Sequence, residues 1–226
     1  VRRTGPGVTV LVVCALLALP GCAGGDAGAV TTGTANKAAA PPAPTAPPTP
    51  AAAKSALAGL VVVPNGYAAD ARELSGPFTL QSFLGTLSGV PAEDRALLLN
   101  ASFKEGYQAV RVSPDREKQY TIRLFRTGSK RKAQDLRAGF RSQDNFTGKY
   151  GVPGVPDVRT GRRVGPNGVP DEAEAVAQAA FVTGNLLAQI TVRQTGPIAG
   201  NLQPDTTLAT ALAQQQYKRL TTKPSS

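Results

Sequence analysis

The stretch Phe181-Val182-Thr183-Gly184-Asn185-Leu186-Leu187-Ala188-Gln189-Ile190-Thr191-Val192-Arg193 decides the fold. Leu186, Ala188, Ile190 and Val192 alternate with Leu187, Gln189, Thr191 and Arg193. A period of two puts an apolar row on one side of a strand and a mostly polar row on the other. Thr183-Gly184-Asn185 is a turn, and 174–182 reads as the partner strand despite its alanines. A helix follows, opened by Pro204-Asp205 and running to about Leu220, with Leu208, Ala211, Leu212 and Gln215 along one side.

The same order of strand, turn, strand and helix occurs earlier. Residues 107–112 read as a strand, turned by Ser113-Pro114-Asp115. Tyr120, Ile122 and Leu124 then alternate with Thr121 and Arg123. Ser129 caps a helix reaching about Gln143, whose inner stripe is Ala133, Leu136 and Phe140. Two ββα units, 107–143 and 174–220, predict an α+β domain: an antiparallel sheet with helices packed on one face. Upstream, 60–63 reads as a short strand stopped by Pro64-Asn65-Gly66, and 78–87 carries apolar residues at helical spacing. Pro91-Ala92-Glu93-Asp94 starts a helix ending near Asn100, with proline in the first turn and acids at the positive end of the dipole. Residues 148–170 read as loop-rich. The folded domain spans 60–221, and 222–226 form a tail.

The chain ahead of the domain has a different character. Arg2 and Arg3 precede a run at 8–19 that is almost wholly apolar. That run is too short for a bilayer span, which needs about 20 residues, and fits the h-region of a signal peptide. Leu19-Pro20-Gly21-Cys22 follows and resembles the lipobox of bacterial lipoproteins. The resemblance implies export, cleavage before Cys22 and a diacylglycerol on its thiol, with Leu19 as the aliphatic position and Pro20 and Gly21 between. Residues 1–21 are then a leader and 22–59 a lipid-anchored linker rich in proline and alanine. Such composition cannot bury a core and is expected to be disordered. Its run at 41–50 favours polyproline II, about 3.1 Å per residue. Cys14 leaves with the leader, so the mature chain keeps one cysteine, at its first residue. Two acyl chains hold a protein stably on a membrane, and the expected location is the outer face of the cell membrane.

Inside the domain, Ser102-Phe103-Lys104-Glu105-Gly106-Tyr107, Leu124-Phe125-Arg126, Phe181-Val182-Thr183-Gly184-Asn185-Leu186-Leu187 and a final helix with Gln214-Gln215-Gln216 and Leu220 are similar to segments of actinobacterial envelope lipoproteins of unassigned function. That resemblance implies an α+β lipoprotein and supplies no catalytic residues.

Charge and composition narrow the function. The chain carries 25 basic and 15 acidic residues, and loss of Arg2 and Arg3 takes the net charge from +10 to +8. A basic exported domain faces anionic lipid or envelope polymer through its field, and nucleic acid is not expected in that compartment. The absence of histidine removes Ser-His-Asp chemistry, His-ligated zinc and histidine switching. Ser129-Lys130-Arg131-Lys132 spells S-x-x-K but lacks the companion motifs of penicillin-binding enzymes, and reads as a helix cap followed by a solvated turn. Glu93-Asp94 and Asp171-Glu172-Glu174 read as helix-start and loop acids rather than a glycosidase pair. Lys130, Arg137 and Arg141 are expected on one helix face, opposite Leu136 and Phe140, with Lys132, Arg162 and Arg163 extending an anion-binding patch if the following loop folds back.

The expectation is a non-enzymatic binding or interaction module of the envelope, without cofactor, metal or catalytic residues. A groove between sheet and helices is expected to suit an apolar ligand. The alternatives are an accessory partner of another envelope protein and, if acids converge in a cleft, a wall-directed enzyme.

Overall fold

The alternation at 186–193 becomes β7 (Leu186–Pro197), joined to β6 (Glu172–Thr183) by a two-residue turn. Gly184 takes φ 57° at the first turn position, a backbone region where a side chain is disfavoured. The computed structural model describes residues 55–71 and 75–222. Leu19, Pro20, Gly21, Cys22 and the linker through 54 lie outside the described residues.

Among the described residues seven strands form one antiparallel sheet, in the order β1-β3-β4-β7-β6-β5, with β2 also paired to β3. The other strands are β1 (Ala68–Ala69), β2 (Gly76–Phe78), β3 (Glu105–Val112), β4 (Lys118–Arg126) and β5 (Arg159–Pro166). The helices are α1 (Leu80–Ser82), which continues as a π-helical turn Phe83–Leu87, then α2 (Pro91–Asn100), α3 (Lys130–Gln143) and α4 (Thr206–Thr221). The α+β class and the antiparallel sheet are as expected. Ser129 caps α3 by accepting from the Lys132 backbone N–H, and Asp205 caps α4 by accepting from that of Leu208.

The helices do not share one face, which corrects the one-sided arrangement. Strand register separates two rows of side chains. One row, with Tyr120, Ile122, Leu124, Ala177, Ala179, Phe181, Ala188, Ile190 and Val192, packs with Ala209, Leu212 and Ala213 of α4. The alternate row brings Phe125, Ala180 and Leu187 against Leu98 of α2, Phe83 of the π turn, and Ala133, Leu136 and Phe140 of α3. Successive residues of a strand point to opposite faces, so α4 covers one face and α2 and α3 the other. The order ββα does recur, as β3-β4-α3 and β6-β7-α4. A two-fold relating the central antiparallel pair β4 and β7 would run normal to the sheet and keep both helices on one face, so the repeat is one of order, not of packing.

Four local expectations change. Residues 148–170 are not all loop, because β5 pairs with β6 from Arg159↔Ala180 to Pro166↔Ala173. An edge strand does not need an apolar alternation, and this one has little. Residues 60–63 do not form a strand. Ala58–Leu60 is a 3-10 turn, and the chain then runs as a strap along α4, where the Val62 N–H donates to Gln216 Oε1 (3.1 Å) and Gln216 Nε2 donates to the Leu60 carbonyl (2.8 Å). Leu57, in the stretch read as linker, is fully buried in the core, so the described fold reaches back to Ser55. The inner stripe of α4 is Ala209, Leu212, Ala213 and Gln216, one residue on from the expected one.

Candidate functional site

The six basic residues expected to form a patch are dispersed. Arg137 points inward with Leu136 and Phe140; it is 7% exposed and ion-paired with Asp157, Nη2 to Oδ2 at 2.8 Å. That guanidinium donates to Asp157 and holds its carboxyl below the usual range. The Arg141 guanidinium lies 4.7 Å from the Phe146 ring centroid, with Nη1 buried and without a hydrogen-bond partner. Lys132 Nζ donates to Ser102 Oγ. Lys130 is exposed in the first turn of α3. Arg162 and Arg163 are successive residues of β5 and so face opposite sides of the sheet. Arg163 is bound to Glu174 at 2.8 Å. Most of the six thus meet groups of the fold itself or are buried, and no single face gathers them.

One cleft among the described residues lies on the α3 side of the sheet. Its floor is the alternate row of the central strands. Phe125 and Leu187 are apolar and carry the roof helices. Moving along the strands, the row turns polar. Arg123 lies across from Gln189, Thr121 from Thr191, and Thr191 in turn from Gln178. Arg193 continues the row on β7. These six residues line a cleft of about 200 Å³. Phe83 and Leu87 of the π turn, Val90 and Asp94 at the start of α2, and Phe140, Gln143 and Asp144 at the end of α3 form the walls.

Each wall has a local cause. Thr79 and Ser82 bond reciprocally to each other's backbone N–H groups and start the helical turn that aims Phe83 inward. Pro91 sets the first turn of α2, and Asp94 in that turn accepts from Ser88 Oγ (2.5 Å). Gly139 lets α3 approach α2, since a Cβ there would stand 2.3 Å from Leu97 Cδ2. Gln143 Nε2 donates to Glu93 Oε2 at 3.3 Å and ties the end of α3 to the start of α2.

The charges in the cleft are unequally satisfied. Arg123 Nε donates to Gln108 Oε1 (2.6 Å), and its guanidinium sits 5.8 Å from the Phe83 ring centroid. Arg193 reaches Glu174 Oε1 at 3.3 Å. Asp94, only 4% exposed, has Oδ1 buried with no hydrogen-bond partner, and Oδ2 of Asp144 is in the same condition. Burial pushes the Asp144 carboxyl up to about 6, against the pull of Arg141 and Arg163. Among the described residues no cluster of three or more His, Cys, Asp or Glu is placed to hold a metal ion.

The groove foreseen between sheet and helices therefore exists, but its floor is polar rather than apolar. Sequence reasoning passed over Gln178, Gln189, Thr191 and Arg193 because an alternating polar row ordinarily faces solvent. The signal available was Arg123 and Thr121 in the same phase on a second strand. Among the described residues no helix is long and apolar enough to cross a membrane.

No protein-family model matches the chain, and none of the curated proteins matches it in sequence. Among solved structures it is similar to the extracellular domain of PknH from Mycobacterium tuberculosis, at 12% identity and a TM-score of 0.33, over 65% of this chain and 80% of that one. Likeness at that level carries no argument about function.

Proposed function

We propose that the chain is a lipid-anchored protein of the cell envelope whose folded domain captures a small polar ligand without transforming it. The localisation rests on the leader and on Cys22. The capture rests on one observation: a polar floor of Thr121, Arg123, Gln178, Gln189, Thr191 and Arg193 overhung by helices, with Thr121 and Thr191 buried and the other four half-buried. Polar side chains under a roof cost desolvation unless something in the cleft bonds them. The cleft is smaller than the 300–1,000 Å³ of sites for drug-sized molecules, so the occupant is small.

Full-length protein extracted from membranes of its own host is the material for the test. Labelled palmitate enters the wild type and not Cys22→Ser, which is released from the membrane. Native mass spectrometry of the wild type shows a bound small molecule that is lost in a Thr191→Val, Gln189→Leu variant. Absence of label refutes the anchor, and an unliganded wild type refutes capture.

A second reading, acid–base hydrolysis of an envelope glycoside, is favoured by Asp94 and Asp144 lining one cleft with the Asp144 carboxyl held up near 6. Release of chromophore from aryl glycosides that disappears in Asp144→Asn supports it, and equal release by both proteins removes it.

A further inference from the structure

We propose that the end of the domain where the chain enters it docks onto an anionic lipid surface. The choice of lipid rests on the anchor reading above and not on capture. Antiparallel register and backbone bonds fix which residues share that end. The Lys104 N–H donates to the Arg126 carbonyl, the Gly128 N–H to that of Ala101 and the Thr127 N–H to that of Asn185. The start of β3, the close of β4, the start of α3 and the β6–β7 turn therefore lie together. The last turns of α4 come to the same end: Tyr217 packs edge-on against Phe181, just before the close of β6. There Arg219 Nη2 donates to the Gly59 carbonyl (2.7 Å), so the entering chain, described from Ser55, joins the fold at this end.

Lys104, Lys130, Lys132, Lys218 and Arg219 gather there, all exposed but the half-buried Lys132. Among the described residues none of the five forms an ion pair; Lys132 donates to Ser102 Oγ and Arg219 to a backbone carbonyl. The nearby acids are already taken. Glu105 pairs with Arg126 (2.8 Å), Asp135 with Arg131 (3.2 Å), and Asp157 with Arg137 (2.8 Å) and Arg159 (3.3 Å).

Two further observations point to an anionic surface. The first turn of α3 holds Lys130, Arg131 and Lys132 and no acid. Cations are disfavoured at the positive end of a helix dipole, so the helix bears a local cost that an anion beside it would relieve. The opposite end of the sheet has the other character. Its β3–β4 and β5–β6 turns expose Asp115, Glu117 and Asp171, with Arg116 the exposed cation among them. An anionic bilayer thus attracts one end and repels the other, which stands the strands on the surface with those turns outward. Lipid is the partner favoured over a free polymer because the unpaired cations sit where the chain from Cys22 arrives. A lipid chain and a basic surface together hold a protein more firmly than one chain alone.

The test uses residues 23–226, which hold every described element of the fold but neither the leader nor Cys22. Vesicle binding of this chain and palmitate labelling of the full one therefore fail separately. Co-sedimentation is measured with vesicles of equal parts phosphatidylglycerol and phosphatidylcholine, and with phosphatidylcholine alone. The expected result is binding to the anionic vesicles only, weakening as salt is raised. Lys104→Gln, Lys130→Gln and Lys218→Gln together weaken it about a hundredfold, at about fivefold for each charge near the surface. The same number of charges removed elsewhere, by Arg116→Asn, Lys149→Gln and Arg162→Gln, changes it by no more than about twofold. Thermal melts confirm that both triple variants fold; if the first does not, Lys218→Gln alone, at about fivefold, decides. Equal binding to the two kinds of vesicle, or equal loss in the two triple variants, overturns the docking surface. Binding to soluble polyphosphate without binding to vesicles overturns the lipid assignment in favour of an anionic polymer, and binding to neither overturns the proposal whole.

Discussion

Replacing Gln216 by leucine isolates what holds the entering chain to the domain. Gln216 is fully buried in the stripe of α4, and its amide bonds both the Leu60 carbonyl and the Val62 N–H. Leucine keeps the apolar contacts and much of the volume but leaves both backbone groups without partners. Each such orphan costs about 1–3 kcal/mol. Leu60 and Val62 are only half-buried, so water reaches part of the strap and the lower part of that range applies. The sum is about 2–4 kcal/mol, partly offset because Arg219 still donates to the Gly59 carbonyl. For a domain of this size about 1 kcal/mol lowers Tm by roughly 2–4 °C, so the loss is about 4–16 °C. Leu57 rides on the same strap, and its withdrawal exposes 55–63 to protease. Circular dichroism melts and limited proteolysis with mass analysis of the amino-terminal fragments read both effects. Gln215→Leu, at an exposed site on the same helix, serves as the control and stays within about 0.5 kcal/mol. A Gln216→Leu melt within about 1 °C of wild type, with the same early cleavages, would refute the strap argument.

Gly106→Ala drives a Cβ to 2.0 Å from Cε2 of Phe78, a buried ring stacked on Phe103 at 5.9 Å and edged by Phe125 at 5.4 Å; a loss of about 1–3 kcal/mol is expected in urea unfolding. Arg137→Met removes the Nη2 hydrogen bond and the charge that hold the Asp157 carboxyl low. The stability they contribute is present above the ordinary carboxylate value near 4 and is lost as pH falls below it, so the gap between wild type and variant narrows from pH 7 toward pH 3 in paired urea melts. Asp144 behaves in the opposite sense: with its folded value near 6, the unfolded chain releases its proton first, and this group's share of the stability falls as pH rises from about 4 to about 6. Asp144→Asn flattens that decline, and an unaltered pH profile counts against the burial of this carboxyl.

Elements with a local cause were legible in the chain. Ser129, Asp205 and Pro91 mark helix starts through groups within four residues of themselves, and the structure has all three helices where those residues put them. β4, β6 and β7 were legible because their apolar phase faces α4 and is unbroken. What depends on distant residues was not. β5 has no apolar phase of its own and exists because β6 offers it a ladder. The phase of α4 was misjudged by one residue because Gln216, polar by type, is the buried member that bonds the strap, while Gln215 is exposed. Arg137 was misjudged for the same reason: a long cation on a helix reads as solvated until the chain around Asp157 supplies its partner.

The candidate site shows the limit of periodicity most sharply. A strand whose even residues are apolar and whose odd residues are polar is the pattern of a sheet wet on one side. Here Phe125 and Leu187 interrupt the polar phase at one end of β4 and β7, and that apolar pair seats α2, α3 and the π turn over the same face. Once the helices are seated they overhang the polar residues further along the strands, because helices extend past the few side chains that anchor them. The cleft is thus a consequence of one row changing character midway. Thr121, Arg123, Gln189, Thr191 and Arg193 look outward in sequence and become the floor of a cavity in the fold. Moving the apolar boundary along that row, by making Thr121 and Thr191 valine, should let the roof settle onto the sheet and close the cavity while raising Tm; a variant that is no more stable than wild type would mean that the roof is held off by its own packing rather than by the polarity beneath it.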